Sequence, residues 1–284
     1  MESSAVLRLI IAMMIFGTVG VFVKNIPLAS GEIALFRAVI ATVAILLYQL
    51  IRQKNMNYLQ IKSDLPWLLA SGVAMGFNWI FLFEAYRYTS ISLATLSYYF
   101  APILVMMLCP FLFKEKLNLK QICCFVVATI GLVLIIGVSS GEAENHLLGI
   151  CFGLAAASLY ATVILLNKFV KKVDGVERTL LQFFAAILVL CPYVYMTSGI
   201  HINTLDFIGL TNMIILGLVH TGFAYCLYLA SIKSLTGQKV AILSYIDPFI
   251  AILISVAILH EPMQGLQVVG GILILGSTLW SELK

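Results

Sequence analysis

Apolar residues in this chain come in runs of about twenty, repeated from one end to the other, and runs of that length can cross a bilayer as helices. They lie at roughly 5–23, 31–51, 66–87, 91–113, 119–138, 148–168, 176–197, 206–231, 238–259 and 264–281. Charged residues are 11% of the sequence and hydrophobic ones 62%, whereas a soluble domain carries about 25% charged residues. Most of the runs lack the polar face that a soluble core needs toward water. The expected class is therefore all-α integral membrane, with ten transmembrane helices and no room for a soluble domain. Turn and helix-start residues punctuate the connections: Pro27 with Ser30-Gly31, Ser63-Asp64 ahead of Pro66, Ser139-Ser140-Gly141, and Ser198-Gly199. The third and fourth runs are the least clearly separated. No cleavable signal peptide is expected, because the run from Ala5 is long enough to stay as a span and no small-residue cleavage pattern follows it.

Basic residues set the expected orientation. With the amino terminus in the cytoplasm, only Lys24 and Arg87 fall on the outer side and Arg37 lies within a span. The other fourteen of the seventeen Lys and Arg are then inside. The supposed outer loop 139–147 carries Glu142 and Glu144 and no basic residue. An even number of helices returns both termini to the cytoplasm, which makes this a multi-pass protein of a cell membrane, expected to be a bacterial inner membrane.

The chain also repeats itself at a spacing of 144–146 residues. Tyr99 and Pro102 align with Tyr245 and Pro248, Glu115 with Glu261, Glu32 and Arg37 with Glu177 and Gln182, and Lys24 with Lys168. Five helices per half is an odd number, so the second half must enter the membrane upside down relative to the first. Inverted repeats are an architecture of secondary transporters, with the binding site near the midplane between the halves.

These features resemble the EamA-type branch of the drug/metabolite transporter superfamily. The likeness rests on two five-helix halves (1–140 and 146–284), an Arg in the second helix, Tyr-x-x-Pro at 99–102 and 245–248, and the Lys-Glu and His-Glu pairs at 114–115 and 260–261. It covers nearly the whole chain through diffuse motifs. The resemblance implies a central cavity formed largely by helices 3, 4, 8 and 9 and flanked by 1 and 6. It further implies efflux of amino acids or other small metabolites, with exchange for protons as one mode. Two positions depart from symmetry: Arg37 faces Gln182 in the alignment, and Asp247 faces Ala101.

Polar groups inside a bilayer are costly, about 2.5–3.5 kcal/mol for a central charge on an insertion scale, and tend to be paired or to face water. Asp247 is the sharpest case. It sits mid-span beside Pro248, which cannot donate to the Ser244 carbonyl, and Ser244 lies one turn away on the same face. Pro102 does the same to the Tyr98 carbonyl, so helix kinks are expected at Pro102 and Pro248. Paired interruptions point to a transporter site, and the candidate substrate-binding residues are Asn78, Trp79, Tyr98, Tyr99, Thr221, Tyr225, Tyr228, Ser244, Tyr245 and Asp247. Aromatic walls suit flat or amine-bearing solutes through stacking and cation–π contacts, although packing against core or lipid competes for each ring. Tyr86 and Tyr88 read as interfacial anchors. Asp247 and His220 are the proton-coupling candidates, with an interhelical hydrogen bond as the competing role for His220. Glu84 and Arg87 are spaced for a structural or gating ion pair, and Arg37 needs a partner from elsewhere in the bundle. Glu115 and Glu261, at span ends, suit helix-end or inter-half bonding. Gly131 and Gly137 in the fifth span and Gly270-Gly271, Gly276 and Ser277 in the last allow close approach, within one bundle or across a dimer.

Other classes fit less well. The P-loop pattern is absent, which argues against ATP hydrolysis by this chain. A membrane enzyme acting on lipid-linked substrates would favour clustered His, Asp or Glu at the membrane face, and a channel would favour a long file of small polar residues. The six cysteines form no C-x-x-C pair and read as packing residues. No enzyme activity, cofactor or metal is expected. The expected partners are a small-molecule substrate and the lipid bilayer, not nucleic acid, with monomer and homodimer both open.

Overall fold

The computed structural model describes residues 2–51, 58–113, 119–137, 143–173, 175–232, 235 and 243–282. These residues are mostly helical, with no strand among them. In chain order the helices are α1 (Glu2–Gly17), α2 (Val19–Lys24), α3 (Ser30–Ile51), α4 (Tyr58–Tyr88), α5 (Ile91–Tyr98), α6 (Ala101–Phe113) and α7 (Leu119–Gly137). Then come α8 (Ala143–Asn167), α9 (Gly175–Thr197), α10 (Phe207–Ile215), a π-helical segment Leu216–Phe223, α11 (Ala224–Ile232), α12 (Ile246–Ala257) and α13 (Gly265–Glu282). Among the described residues six helices are long and apolar enough to cross a membrane, and Ile91–Val105, Leu119–Ile135, Ile246–Ala257 and Gly265–Ser277 are shorter apolar helices. Large apolar side chains stand on the outside: Leu47, Phe111, Val133, Leu188, Phe207 and Ile272 are each more than half exposed. In water such a surface would cost about 25 cal/mol per Å²; against lipid tails it costs nothing.

Local chemistry explains most boundaries. Ser90 caps α5, its hydroxyl accepting from the Leu93 N–H at 3.2 Å, and this cap separates α5 from α4. Asp206 caps α10 in the same way through Gly209 N–H at 2.7 Å. Helix α9 ends at Gly199, whose φ of +74° belongs to the left-handed region and whose N–H reaches the Val194 carbonyl at 2.8 Å. The expected start of the third span at Pro66 is corrected: α4 begins at Tyr58 and runs through Pro66. The exposed Pro66 leaves only the Lys62 carbonyl without its N–H, near the polar end of the helix where water can take its place. Residues 238–242 of the expected ninth span, and Glu115, Glu142 and the 114–115 pair, lie outside the described residues.

The helices pack in a pattern that pairs off. Helix α4 lies against α8 and α9, while α1 lies against α11 and α12, α3 against α9 and the π segment, α5 against α8 and α12, and α7 against α13. With no hydrophobic drive between helices in lipid, small residues let backbones close. A methyl at Gly131 would stand 2.7 Å from the Gly270 carbonyl oxygen, and one at Gly270 would stand 2.5 Å from that of Gly131. Gly131 of α7 and Gly270 of α13 therefore bring these two helices together within one bundle.

Buried carboxylates tie the ends together. At one end Asp64 accepts from the Lys172 and Val173 N–H groups at 2.6 and 3.0 Å. At the other, Glu32 accepts from His201 N–H at 2.6 Å. There too Glu261 is bonded to Lys24, to the hydroxyl of Ser255, and at 2.9 Å to the Ile91 N–H that opens α5.

Candidate functional site

Two of the helix interruptions meet. The chain turns at Tyr99-Phe100 between α5 and α6, and again at Tyr245 ahead of α12. Pro102 is the second residue of α6 and Pro248 the third of α12, positions where an absent N–H breaks no helical bond. The helices thus stop and restart ahead of the prolines, where the sequence suggests only a bend. Tyr99 donates its hydroxyl to Asp247 at 2.7 Å, and the Tyr99 and Tyr245 rings lie 6.5 Å apart. Ser244 is half-buried one turn before Asp247.

Tyrosines surround this pair. Tyr98 stacks on Tyr160 of α8 at 5.3 Å and meets Tyr99 edge-on at 6.1 Å. Tyr86, Tyr98, Tyr160 and Tyr225 all lie within the electrostatic reach of Asp247. Tyr225 packs edge-on against Phe16 and Phe183, at 5.4 and 5.7 Å, and Tyr228 against Phe16 at 6.4 Å.

A cation forms the second focus. Arg37 of α3 is 5% exposed; its Nε donates to Thr221 at 2.9 Å, and its guanidinium lies 4.6 Å from the ring centre of Trp79 and 5.3 Å from that of Phe83. Its partner is therefore a hydroxyl on the π segment rather than an acid. The next residue back, His220, shares its Nε2 with the Thr18 hydroxyl at 2.7 Å, at the break between α1 and α2. Phe22 covers the same imidazole at 4.7 Å.

The remaining predicted residues are placed as follows. Asn78 gives its amide N–H to the Ala156 carbonyl at 2.7 Å, joining α4 to α8, and Trp79 is buried edge-on against Phe183. Neither touches Asp247 directly. Glu84 and Arg87 pair at 3.3 Å. Arg87 also borders a cavity of 430 Å³ with Lys24, Pro27, Leu28, Ile33 and Tyr86. The interfacial reading of Tyr86 is corrected: it is 6% exposed and lines that cavity. Tyr88, at 37%, is the exposed one. Tyr160 and Phe16 were missed, although Tyr160 is a lone polar aromatic in the apolar run of α8.

Comparison with known proteins adds the lineage. The family described as the EamA-like transporter family matches residues 3–137 and again 147–282. The uncharacterized transporter YxxF of Bacillus subtilis (strain 168) is 29% identical over 256 residues, 89% of this chain and 81% of that protein. A probable amino-acid metabolite efflux pump of Salmonella typhimurium (strain LT2) is 26% identical over 75% of each chain, and one of Escherichia coli (strain K12) is 27% identical over 75% of each. A solved crystal structure, 17% identical, aligns with a TM-score of 0.65 over 99% of this chain and 98% of its own, a likeness of fold alone.

Proposed function

The chain belongs to the EamA-like transporter family, and on that premise we propose that it is a secondary transporter that exports amino acids or other amine-bearing or aromatic solutes by alternating access. The observation that carries the reading is the Tyr99–Asp247 bond, where two restarted helices meet inside a ring of tyrosines. A carboxylate among aromatic faces suits an ammonium group, through charge and cation–π attraction together.

The architecture we infer is ten spans in two inverted five-helix repeats, with both termini cytoplasmic in a bacterial inner membrane. Two features support it. The family pattern fits each half separately. The packing partners also exchange: swapping the first span with the sixth, the second with the seventh and so on turns the α4–α8 contact into α11–α1, and α4–α9 into the π segment with α3. Pairs α3–α9, α5–α12 and α7–α13 map onto themselves. The two halves then rock about the Tyr99–Asp247 contact to expose it to either side. Asp247 and His220 are the titratable groups through which protons couple to the solute.

Counterflow of labelled amino acids into liposomes holding the purified protein tests the reading. Saturable, trans-stimulated uptake is the expected result. Non-saturable flux, or chemical turnover without solute movement, overturns it.

A further inference from the structure

Arg37 and Gln182 occupy corresponding places in the two halves and perform the same structural task. Arg37 donates to Thr221, which ties α3 to the π segment. Gln182 donates to the Ser71 hydroxyl at 2.7 Å and to Asn167 at 3.0 Å, which ties α9 to α4 and α8. In each case a second-helix side chain of one half reaches a hydroxyl on the third span of the other. A neutral amide suffices in the second half, so the link itself does not need a charge.

The charge at Arg37 is nevertheless costly. A guanidinium remains protonated under all ordinary conditions, and this one is buried to 95% within a helix long and apolar enough to span. No acid among the described residues pairs with it, and Glu32, on the same helix, is taken up by His201 and Ala29 N–H groups. Only Nε is hydrogen-bonded, which leaves both terminal nitrogens of the fork without an acceptor among the described residues. Trp79 and Phe83 hold the plane of the group in place.

We propose that Arg37 holds the carboxylate of the transported solute, so that the carrier selects acids over their carboxylate-free analogues. The inference rests on the transporter reading above. A fixed planar fork with two free donors matches a carboxylate in bidentate geometry. The ligand supplies the counter-charge that the fold omits, so the loaded site is electrically better matched than the empty one.

The test uses counterflow in liposomes with the common amino acids, each beside its amide, methyl ester and decarboxylated amine. The wild-type protein is expected to prefer the free acid over its carboxylate-free analogues by tenfold or more. Arg37→Gln, which copies the arrangement at Gln182, is expected to remove that preference by raising KM for the acid at least tenfold while leaving KM for the amine within about twofold. Equal losses for acid and amine in Arg37→Gln would assign Arg37 a structural role and overturn the proposal. Should that variant fail to fold, the wild-type comparison decides: amines or esters carried as well as the acids overturn it. Absence of saturable flux for every solute would instead sink the transporter reading.

Discussion

The Tyr99 hydroxyl reaches the Asp247 carboxylate at 2.7 Å across 148 positions of the chain. Each residue stands at a helix restart, so the bond joins two places where backbone regularity has already been given up. Asp247→Asn removes one of the two proton-coupling groups together with the charge that meets the solute's ammonium, and is expected to weaken the pH dependence of counterflow and to raise KM for amine-bearing solutes. Tyr99→Phe is expected to keep the pH dependence and weaken solute binding by about tenfold in KM, from loss of a charge-assisted bond worth roughly 1.5 kcal/mol. A pH profile unchanged in Asp247→Asn would count against coupling through this group.

Glu261 serves three donors and Lys24 only one acceptor, so their removal should be unequal. Lys24→Ala deletes a partly exposed ion pair and is expected to cost under about 1 kcal/mol. Glu261→Ala also leaves the Ile91 N–H and the Ser255 hydroxyl proton without an acceptor, and is expected to cost roughly 2–3 kcal/mol. Thermal unfolding in detergent measures both; equal costs would show that the backbone contact contributes nothing.

Space around the glycines of α13 differs sharply. Gly270→Leu drives a side chain into the Gly131 carbonyl and is expected to abolish monodisperse folded protein. Gly276→Leu meets nothing within 4 Å and is expected to be tolerated. Size-exclusion profiles of the two variants make the comparison.

Asp64 holds the α8–α9 connection through two backbone N–H groups. Asp64→Ala is expected to speed hydrogen exchange at Lys172 and Val173 by roughly ten- to a hundredfold, the equivalent of about 1.5–3 kcal/mol. Exchange at wild-type rates would show that the loop is held by other contacts.

Much of this architecture was legible because its signals are local. Apolar run length marked α3, α7, α9 and α13 to within a residue or two, and Gly199 acted on its own neighbours. The repeat brought Tyr99, Tyr245 and Asp247 to notice before any contact was known. What stayed hidden depends on distant partners. Nothing near Tyr160 says that it stacks on Tyr98, and nothing near Tyr86 says that a neighbouring helix covers it. Arg37 shows the limit well: the sequence requires a partner for it, but only the fold reveals that the partner is a hydroxyl and that the negative charge is missing.

The π segment Leu216–Phe223 adds one last consequence. The repeat offset is 145 residues at Arg37 and Gln182 but 146 at Tyr99 and Tyr245, so the second half holds one residue more between these points, and a wide i→i+5 turn is a place where a helix can store it. His220 and Thr221 both reach carbonyls five residues back within this turn, at Ile215 and Leu216. Drawing the stored residue out into regular α-helix would add about 1.5 Å of length and swing the side chains beyond it by about 100°. The Thr18 and Arg37 contacts would be released together by that change of register.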